Sequence, residues 1–261
     1  MARARPVGSI AAVALLLLTV SISGGADAAT RPRRVTIYGD SLTVQAEPYL
    51  HDAAETLHVD LTVRAYPGTA PCDYVPVLAT DLASRPLPDL VVFAFSGNSF
   101  ITCMRDASGT PLTGDATIAK YRADVGAAVD EAVRAGRPIV LASPPISVGR
   151  EAEWHALDAF DRELAATRPG VHYLDASRRI APHGRFALTQ RCLPAETRMA
   201  EAARVCHTTR SRVAVRSPDG LHFCGNLFEP PPLRCPEYAS GAWRYATNLV
   251  RGATHVLGRR R

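Results

Sequence analysis

The chain has 261 residues and a formal net charge of +5, with 47% hydrophobic and 21% charged residues. The charge is spread along the chain except for Arg259-Arg260-Arg261. No aromatic residues interleave with that cluster, which argues for a solvated helix end and against a nucleic-acid partner.

The first element is an apolar run, Ile10 to Ile22, preceded by Arg3 and Arg5 and followed by Ala26-Asp27-Ala28. The run is shorter than the roughly 20 residues that a membrane-spanning helix needs. A basic start, an apolar centre and small residues together read as an export signal cut before Ala29. Residues 1–28 are therefore assigned to a signal peptide and 29–261 to one domain. No Cys follows the run closely, so a lipid anchor there is not expected. The mature protein is expected in the extracellular space or cell envelope, without stable membrane insertion and as a monomer.

Beyond the signal, short apolar runs alternate with longer amphipathic stretches. Val35 to Tyr38 reads as a first strand. Thr43 to Leu57 reads as a helix, with its first turns in question because of Pro48. Val59 to Ala65 alternates and reads as a second strand, and Tyr74 to Ala83 as a helix. Leu90 to Phe95 is continuously apolar, as expected of a strand buried on both faces. A helix of about Asp115 to Ala135 ends at Gly136 and Pro138. Pro138 to Ala142 is a fourth strand, stopped by Pro144-Pro145. A helix over Glu151 to Ala166, a strand over Val171 to Leu174 and a last helix over Ser240 to Leu257 complete the series. This order implies a parallel sheet between helices, a three-layer α/β/α domain. About residues 181–218 the alternation breaks, and the stretch reads as an irregular, disulfide-tied insertion.

Six cysteines follow the signal: Cys72, Cys103, Cys192, Cys206, Cys224 and Cys235. An even count in an exported chain points to three disulfides, and six cysteines allow 15 connectivities. There is no Cys-x-x-Cys pair, so a zinc site is not expected.

Tyr38-Gly39-Asp40-Ser41-Leu42 lies where the first strand ends and the first helix begins. In open parallel sheets, ligands bind beyond the carboxyl ends of the strands. A serine there is a candidate nucleophile, and the helix start offers free N–H groups to a developing anion. The competing reading is that Asp40 or Ser41 only caps the helix. Serine needs a general base. Of the eight histidines, His222 stands out in Ser217-Pro218-Asp219-Gly220-Leu221-His222, where a tight turn would bring Asp219 to the imidazole. His183 and His207, in the insertion, remain alternatives. His51, His58, His155 and His255 fall on helices or strand edges and read as surface or packed residues. Two further loops offer donors for an oxyanion. Gly68, after the second strand, lets a backbone N–H approach without a Cβ in the way. Asn98, after the third, can donate from its side-chain amide.

Gly-Asp-Ser-Leu, then Gly68, then Gly97-Asn98, then Asp-x-x-His occur in that order from about Val35 to Leu257. In this the chain resembles the SGNH hydrolases, also called the GDSL esterase/lipase family, and a bacterial secreted branch of it. The resemblance implies a flavodoxin-like five-stranded parallel sheet of order 2-1-3-4-5. It implies Ser41, His222 and Asp219 as the catalytic triad, and Ser41, Gly68 and Asn98 as the oxyanion hole. It makes Cys72–Cys103 a plausible tie between the two oxyanion loops, leaving Cys192–Cys206 and Cys224–Cys235 as local pairs. The activity it implies is hydrolysis of carboxylic esters with short acyl or acetyl groups, with no metal or organic cofactor. The substrate would be a small-molecule, glycan or lipid ester. Acyl transfer to a glycan hydroxyl would use the same residues, as would cleavage of longer acyl chains, although no apolar lid helix is evident. A silent binding domain on this fold is the reading from another class. The Gly-x-Ser-x-Gly elbow of the α/β-hydrolases is absent. Phe95 and Phe100 around Asn98 predict a more apolar pocket.

Overall fold

Five of the apolar runs pair side by side into one parallel sheet, and helices cover both faces. The computed structural model describes residues 31–225, 235 and 237–259. The signal-peptide assignment of residues 1–28, the prolines 230–232 and the last two arginines lie outside the described residues. The strands are β1 (Arg33–Gly39), β2 (Val59–Ala65), β3 (Leu90–Ala94), β4 (Ile139–Ala142) and β5 (Val171–Leu174), in the order β2-β1-β3-β4-β5. The helices are α1 (Ser41–Thr56), α2 (Pro71–Ala83), α3 (Gly114–Arg134), α4 (Glu151–Thr167) and α5 (Ser240–Gly258). Gly39 pairs with Ala65 on one side and Ala94 on the other, so β1 is central and its last residue lies between two neighbouring loops.

Alternation along the central strands divides the core in two, because successive side chains point to opposite faces. Val35, Ile37, Leu90, Val92, Val140 and Ala142 face α1 and α5, where they meet Leu42, Leu50, Leu249 and Leu257. Tyr38, Val91, Phe93, Ile139 and Leu141 face the other way, against Leu78, Tyr121 and Val129 of α2 and α3. Each fully buried side chain of this kind contributes roughly 1.5–3 kcal/mol. A strand buried on both faces must read as a continuous apolar run, which is the pattern of β3.

Two boundaries differ from expectation for local reasons. Helix α1 starts at Ser41 and continues through Pro48, capped by the Asp40 carboxylate. Helix α2 starts at Pro71, three residues before Tyr74, because proline suits the first helical position and Asp73 accepts from Ala70 N at 3.0 Å. The insertion is not wholly irregular. It contains an antiparallel pair, β6 (Thr189–Arg191) and β7 (Arg212–Ala214), whose strands have only three residues each.

The insertion is fixed to α5 by a buried ion pair. Arg244 gives Nε to Glu196 Oε1 at 3.1 Å and Nη2 to Oε2 at 2.5 Å. Its remaining donors reach Arg179 O at 3.0 Å and Arg191 O at 2.8 Å. Glu196 also accepts from Tyr238 Oη, Leu193 N and Ser240 Oγ. Burial alone would raise the Glu196 carboxyl, but Arg244 and the other donors hold it below its ordinary value. Disulfides join Cys72 to Cys103, Cys192 to Cys206 and Cys224 to Cys235, so the protein suits an oxidising compartment. No helix of the described residues is long and apolar enough to cross a membrane.

Candidate active site

The site begins with a glycine that nothing larger can replace. A Cβ on Gly39 would lie 2.0 Å from Thr43 Oγ1 and 2.9 Å from Ala94 O. This close approach lets the chain turn directly from β1 into α1. Asp40 then takes extended backbone angles and caps the helix, with Oδ1 accepting from Leu42 N at 3.1 Å. Ser41 is the first helical residue and is 5% exposed.

Asp40 does more than cap. Its Oδ2 accepts from Ser96 N and Ser96 Oγ, each at 2.6 Å, and from Asn98 Nδ2 at 3.2 Å. The carboxylate is fully buried, and burial raises its pKa against the lowering effect of these donors. It joins the loop after β3 to the loop after β1. Asn98 Nδ2 also donates to Thr69 O at 3.2 Å, adding the loop after β2. Thr69 Oγ1 returns to Gly39 O at 3.3 Å, Tyr121 Oη donates to Asn98 O at 3.0 Å, and Arg150 Nη2 donates to Gly97 O at 2.5 Å. The Cys72–Cys103 disulfide ties the first turn of α2, just after the Gly68 loop, to the short helical turn Thr102–Met104 that follows the Asn98 loop.

His222 comes from the other side. Asp219 Oδ1 accepts from Leu221 N at 2.9 Å and His222 N at 3.0 Å, so the carboxylate closes its own turn. Gly220 supplies a φ of +69° in that turn. Asp219 Oδ2 is 2.9 Å from His222 Nδ1, and His222 Nε2 is 3.0 Å from Ser41 Oγ. A carboxylate on Nδ1 fixes the hydrogen there in the neutral ring and leaves Nε2 free to accept. Burial works against the Asp219 charge, but the two backbone N–H groups and the imidazole together hold its pKa below the ordinary value. Among the described residues, His222 is the histidine within hydrogen-bond reach of Ser41. His183 and His207 stay in the insertion.

The donors around Ser41 need more detail than the sequence supplied. Ser41 N–H and Gly68 N–H meet no acceptor among the described residues. A Cβ on Gly68 would touch nothing within 4 Å, so crowding does not explain the glycine; its φ of +79° does. Asn98 directs its amide at Asp40 and Thr69 and would have to give up one of them to face a substrate oxygen. The expected apolar pocket is not built by the two phenylalanines. Phe95 is packed in the core against Phe93 and Tyr74, and Phe100 points into solvent.

Two supporting residues were missed in the sequence. Gln45 lies one helical turn after Ser41, on the same face of α1. Its Oε1 accepts from Phe223 N at 2.8 Å and its Nε2 donates to Cys224 O at 3.4 Å, which ties α1 to the His222 loop. The i, i+4 spacing was the available signal. Arg216 is 1% exposed and sits beneath the same loop. Its Nη2 reaches Pro145 O at 3.1 Å, Ile146 O at 2.9 Å and Ser147 Oγ at 3.3 Å. Its Nε and Nη1 meet no acceptor among the described residues. Burial pulls the guanidinium down to about 10, while the charges of Asp219 and Asp40 oppose that fall. As for metals, Cys192, Glu196 and Cys206 lie close together, but the sulfurs are bonded to each other and Glu196 is held by Arg244.

No family model matches the sequence, and no curated protein matches it. Solved structures do match. A candidate acylhydrolase of Bacteroides fragilis is 13% identical, with a TM-score of 0.55 over 88% of this chain and 93% of that one. A GDSL-like lipase of Bacteroides thetaiotaomicron is 11% identical, with a TM-score of 0.53 over 86% and 89% of the two chains. The catalytic domain of peptidoglycan O-acetyltransferase A of Streptococcus pneumoniae is 16% identical, with a TM-score of 0.51 over 87% and 96%. At these identities the likeness is one of fold.

Proposed function

The chain has the fold of the SGNH, or GDSL, hydrolases, and from that premise we propose that it is a secreted serine esterase acting on short acyl or acetyl esters. The observation that carries the reading is the relay from Asp219 Oδ2 to His222 Nδ1 at 2.9 Å and from His222 Nε2 to Ser41 Oγ at 3.0 Å. Ser41 Oγ attacks the ester carbonyl while its proton passes to His222 Nε2, and Asp219 stabilises the imidazolium. Ser41 N–H and Gly68 N–H donate to the oxyanion of the tetrahedral intermediate, joined by the Asn98 amide once it releases Asp40 or Thr69. Collapse breaks the bond to the alkoxy group, which leaves as the alcohol with the proton from His222. Water then attacks the acyl-enzyme with His222 as base and releases the acid.

Cleavage of p-nitrophenyl acetate by the purified protein is the test. Ser41→Ala and His222→Ala are each expected to lower kcat by roughly 10³-fold or more, leaving only what binding and oxyanion contacts provide. Parent rates in either variant would overturn the triad, and failure of a fluorophosphonate to label Ser41 would leave a silent binding domain as the reading. Export with a cut before Ala29 is part of the proposal, and the N-terminal sequence of protein recovered from culture medium checks it.

Acyl transfer to a sugar hydroxyl is a second reading. The likeness to a peptidoglycan O-acetyltransferase domain favours it, and the same residues would serve with the sugar hydroxyl in place of water. Mass spectrometry of an oligosaccharide acceptor incubated with an acetyl-ester donor separates transfer from hydrolysis.

A further inference from the structure

Among the described residues, two aromatic side chains are exposed: Tyr66, at 69%, and Phe100, at 72%. The other described aromatics are buried or half-buried. Single exposed apolar residues are ordinary on a protein surface. Leu57 and Val133, near the C-termini of α1 and α3, are of that kind, as are Leu188 and Val205 in the insertion, while Val148, at 55%, lies against Gly220 of the His222 turn. Tyr66 and Phe100 differ in their placement. One lies two residues before Gly68 and the other two residues after Asn98, on the loops that adjoin Ser41 from the two strands beside β1.

Both loops are held firmly. Tyr66 N donates to Gly39 O at 3.4 Å and Tyr66 O accepts from Thr69 Oγ1 at 2.7 Å. Asn98 Nδ2 and the Cys72–Cys103 disulfide join the two loops to each other. An aromatic ring on an anchored backbone has little rotamer freedom to lose on binding, which makes it an economical contact surface. The same two loops carry polar side chains, with Thr69, Ser96 and Ser99 half-buried. A long acyl chain would need a continuous apolar channel to leave water. A chain of sugar rings offers apolar C–H faces for aromatic rings and hydroxyl edges for polar groups on the same loops.

We propose that Tyr66 and Phe100 form a platform for the sugar rings of an O-acylated oligosaccharide or polysaccharide, placing its ester carbonyl at Ser41. The proposal rests on the esterase reading of Ser41 and narrows its substrate class.

The test compares Tyr66→Ala, Phe100→Ala and the double variant, with Leu57→Ala as a control. The probes are O-acetylated xylo-oligosaccharides, O-acetylated chito-oligosaccharides, p-nitrophenyl acetate and p-nitrophenyl octanoate. Each single variant should raise KM for an acetylated oligosaccharide about tenfold, the loss of one aromatic contact, and the double variant more. The kcat values and all constants for p-nitrophenyl acetate should stay within about twofold, since these side chains touch no reacting atom. Unchanged KM for the sugars, an equal loss on p-nitrophenyl acetate, or a loss confined to the octanoate would each overturn the platform. Calorimetric binding of unacetylated xylohexaose and chitohexaose keeps the two readings apart. If the parent cleaves no ester but binds a sugar, and the double variant does not, the platform stands and the Ser41 reading falls. If neither sugar series is cleaved or bound, the platform falls whatever happens to p-nitrophenyl acetate.

Discussion

Two arginines are the largest fully buried side chains among the described residues, and they are treated in opposite ways. Arg244, in α5, has a carboxylate partner and an acceptor on every nitrogen. Arg216, under the His222 loop, has no bonded carboxylate, spends one nitrogen on three acceptors of a single loop, and leaves the other two without a hydrogen-bond partner among the described residues, its guanidinium lying 5.6 Å from the centroid of the Phe223 ring. A buried charge costs several kcal/mol unless it is paired and hydrogen-bonded. The fold neutralises that cost where the insertion meets α5. It tolerates the cost beside Asp219 and Asp40, the carboxylates whose charges Arg216 feels. Breaches of the rules for buried polar groups collect at functional sites, so the contrast separates a residue that holds the fold from one that serves the site.

The largest expected effect breaks the well-satisfied side. Arg244→Met strands Glu196 as a buried, unpaired carboxylate and should cost about 3–5 kcal/mol of stability. Denaturant unfolding measures this, and the folded fraction should retain its specific activity on p-nitrophenyl acetate. The double variant Glu196→Gln, Arg244→Met should recover part of the loss. If the single variant instead lost activity at parental stability, the division between the two arginines would be wrong.

The disulfides extend the comparison at a smaller scale. Cys192–Cys206 closes 14 residues inside the insertion, and Cys72–Cys103 closes 31 across the two donor loops. Chain entropy alone assigns each about 3–4 kcal/mol, slightly more for the longer loop. Replacing both cysteines by serine should therefore destabilise the two variants similarly. Only the Cys72–Cys103 variant should also lose kcat, because only that bond sets the spacing of Gly68 and Asn98. Equal kcat in both variants would show that the hydrogen bonds of Asp40 and Asn98 hold the loops unaided.

Neither arginine was legible in the sequence. The sheet was, because the central strands β3 and β4, buried on both faces, write themselves as apolar runs, the edge strand β2 as an alternation, and the helices between them as amphipathic stretches. Ser41, Asp219 and His222 were legible because they sit in short turns whose neighbours, Gly39 and Gly220, the backbone itself requires. Arg216 meets Ile146 across 70 residues and Gln45 meets Phe223 across 178. Contacts of that range exist only after the topology is fixed, and an arginine or glutamine otherwise reads as surface. The β6–β7 pair was missed because three residues are too few to show a period. Phe100 was expected to enclose a pocket beside Asn98, but the residue is 72% exposed, which its neighbours in sequence do not reveal.

The smallest effect on stability should come from the arginine under the site. Arg216→Met removes the tether on Pro145 and Ile146 but also an under-paired buried charge, and these oppose each other, so stability should stay within about 1–2 kcal/mol of the parent. Activity should fall more: about tenfold in kcat at nearly constant KM, since the loop that carries His222 loses its anchor. Arg216→Lys should restore part of it, supplying the charge but not the fork of donors. The pH dependence distinguishes a positioning role from simple loosening. Asp219 lies below its ordinary 3.8 in the folded protein, so the stability its charge contributes is full above that value and is lost as the pH falls through the lowered folded value. Removing a nearby cation raises that folded value. Acid loss of structure should therefore begin at higher pH in Arg216→Met than in the parent, and Arg216→Lys should move it back. If Arg216→Met lost kcat without moving the acid limb, and Arg216→Lys rescued nothing, Arg216 would be a spacer and its charge without consequence for Asp219.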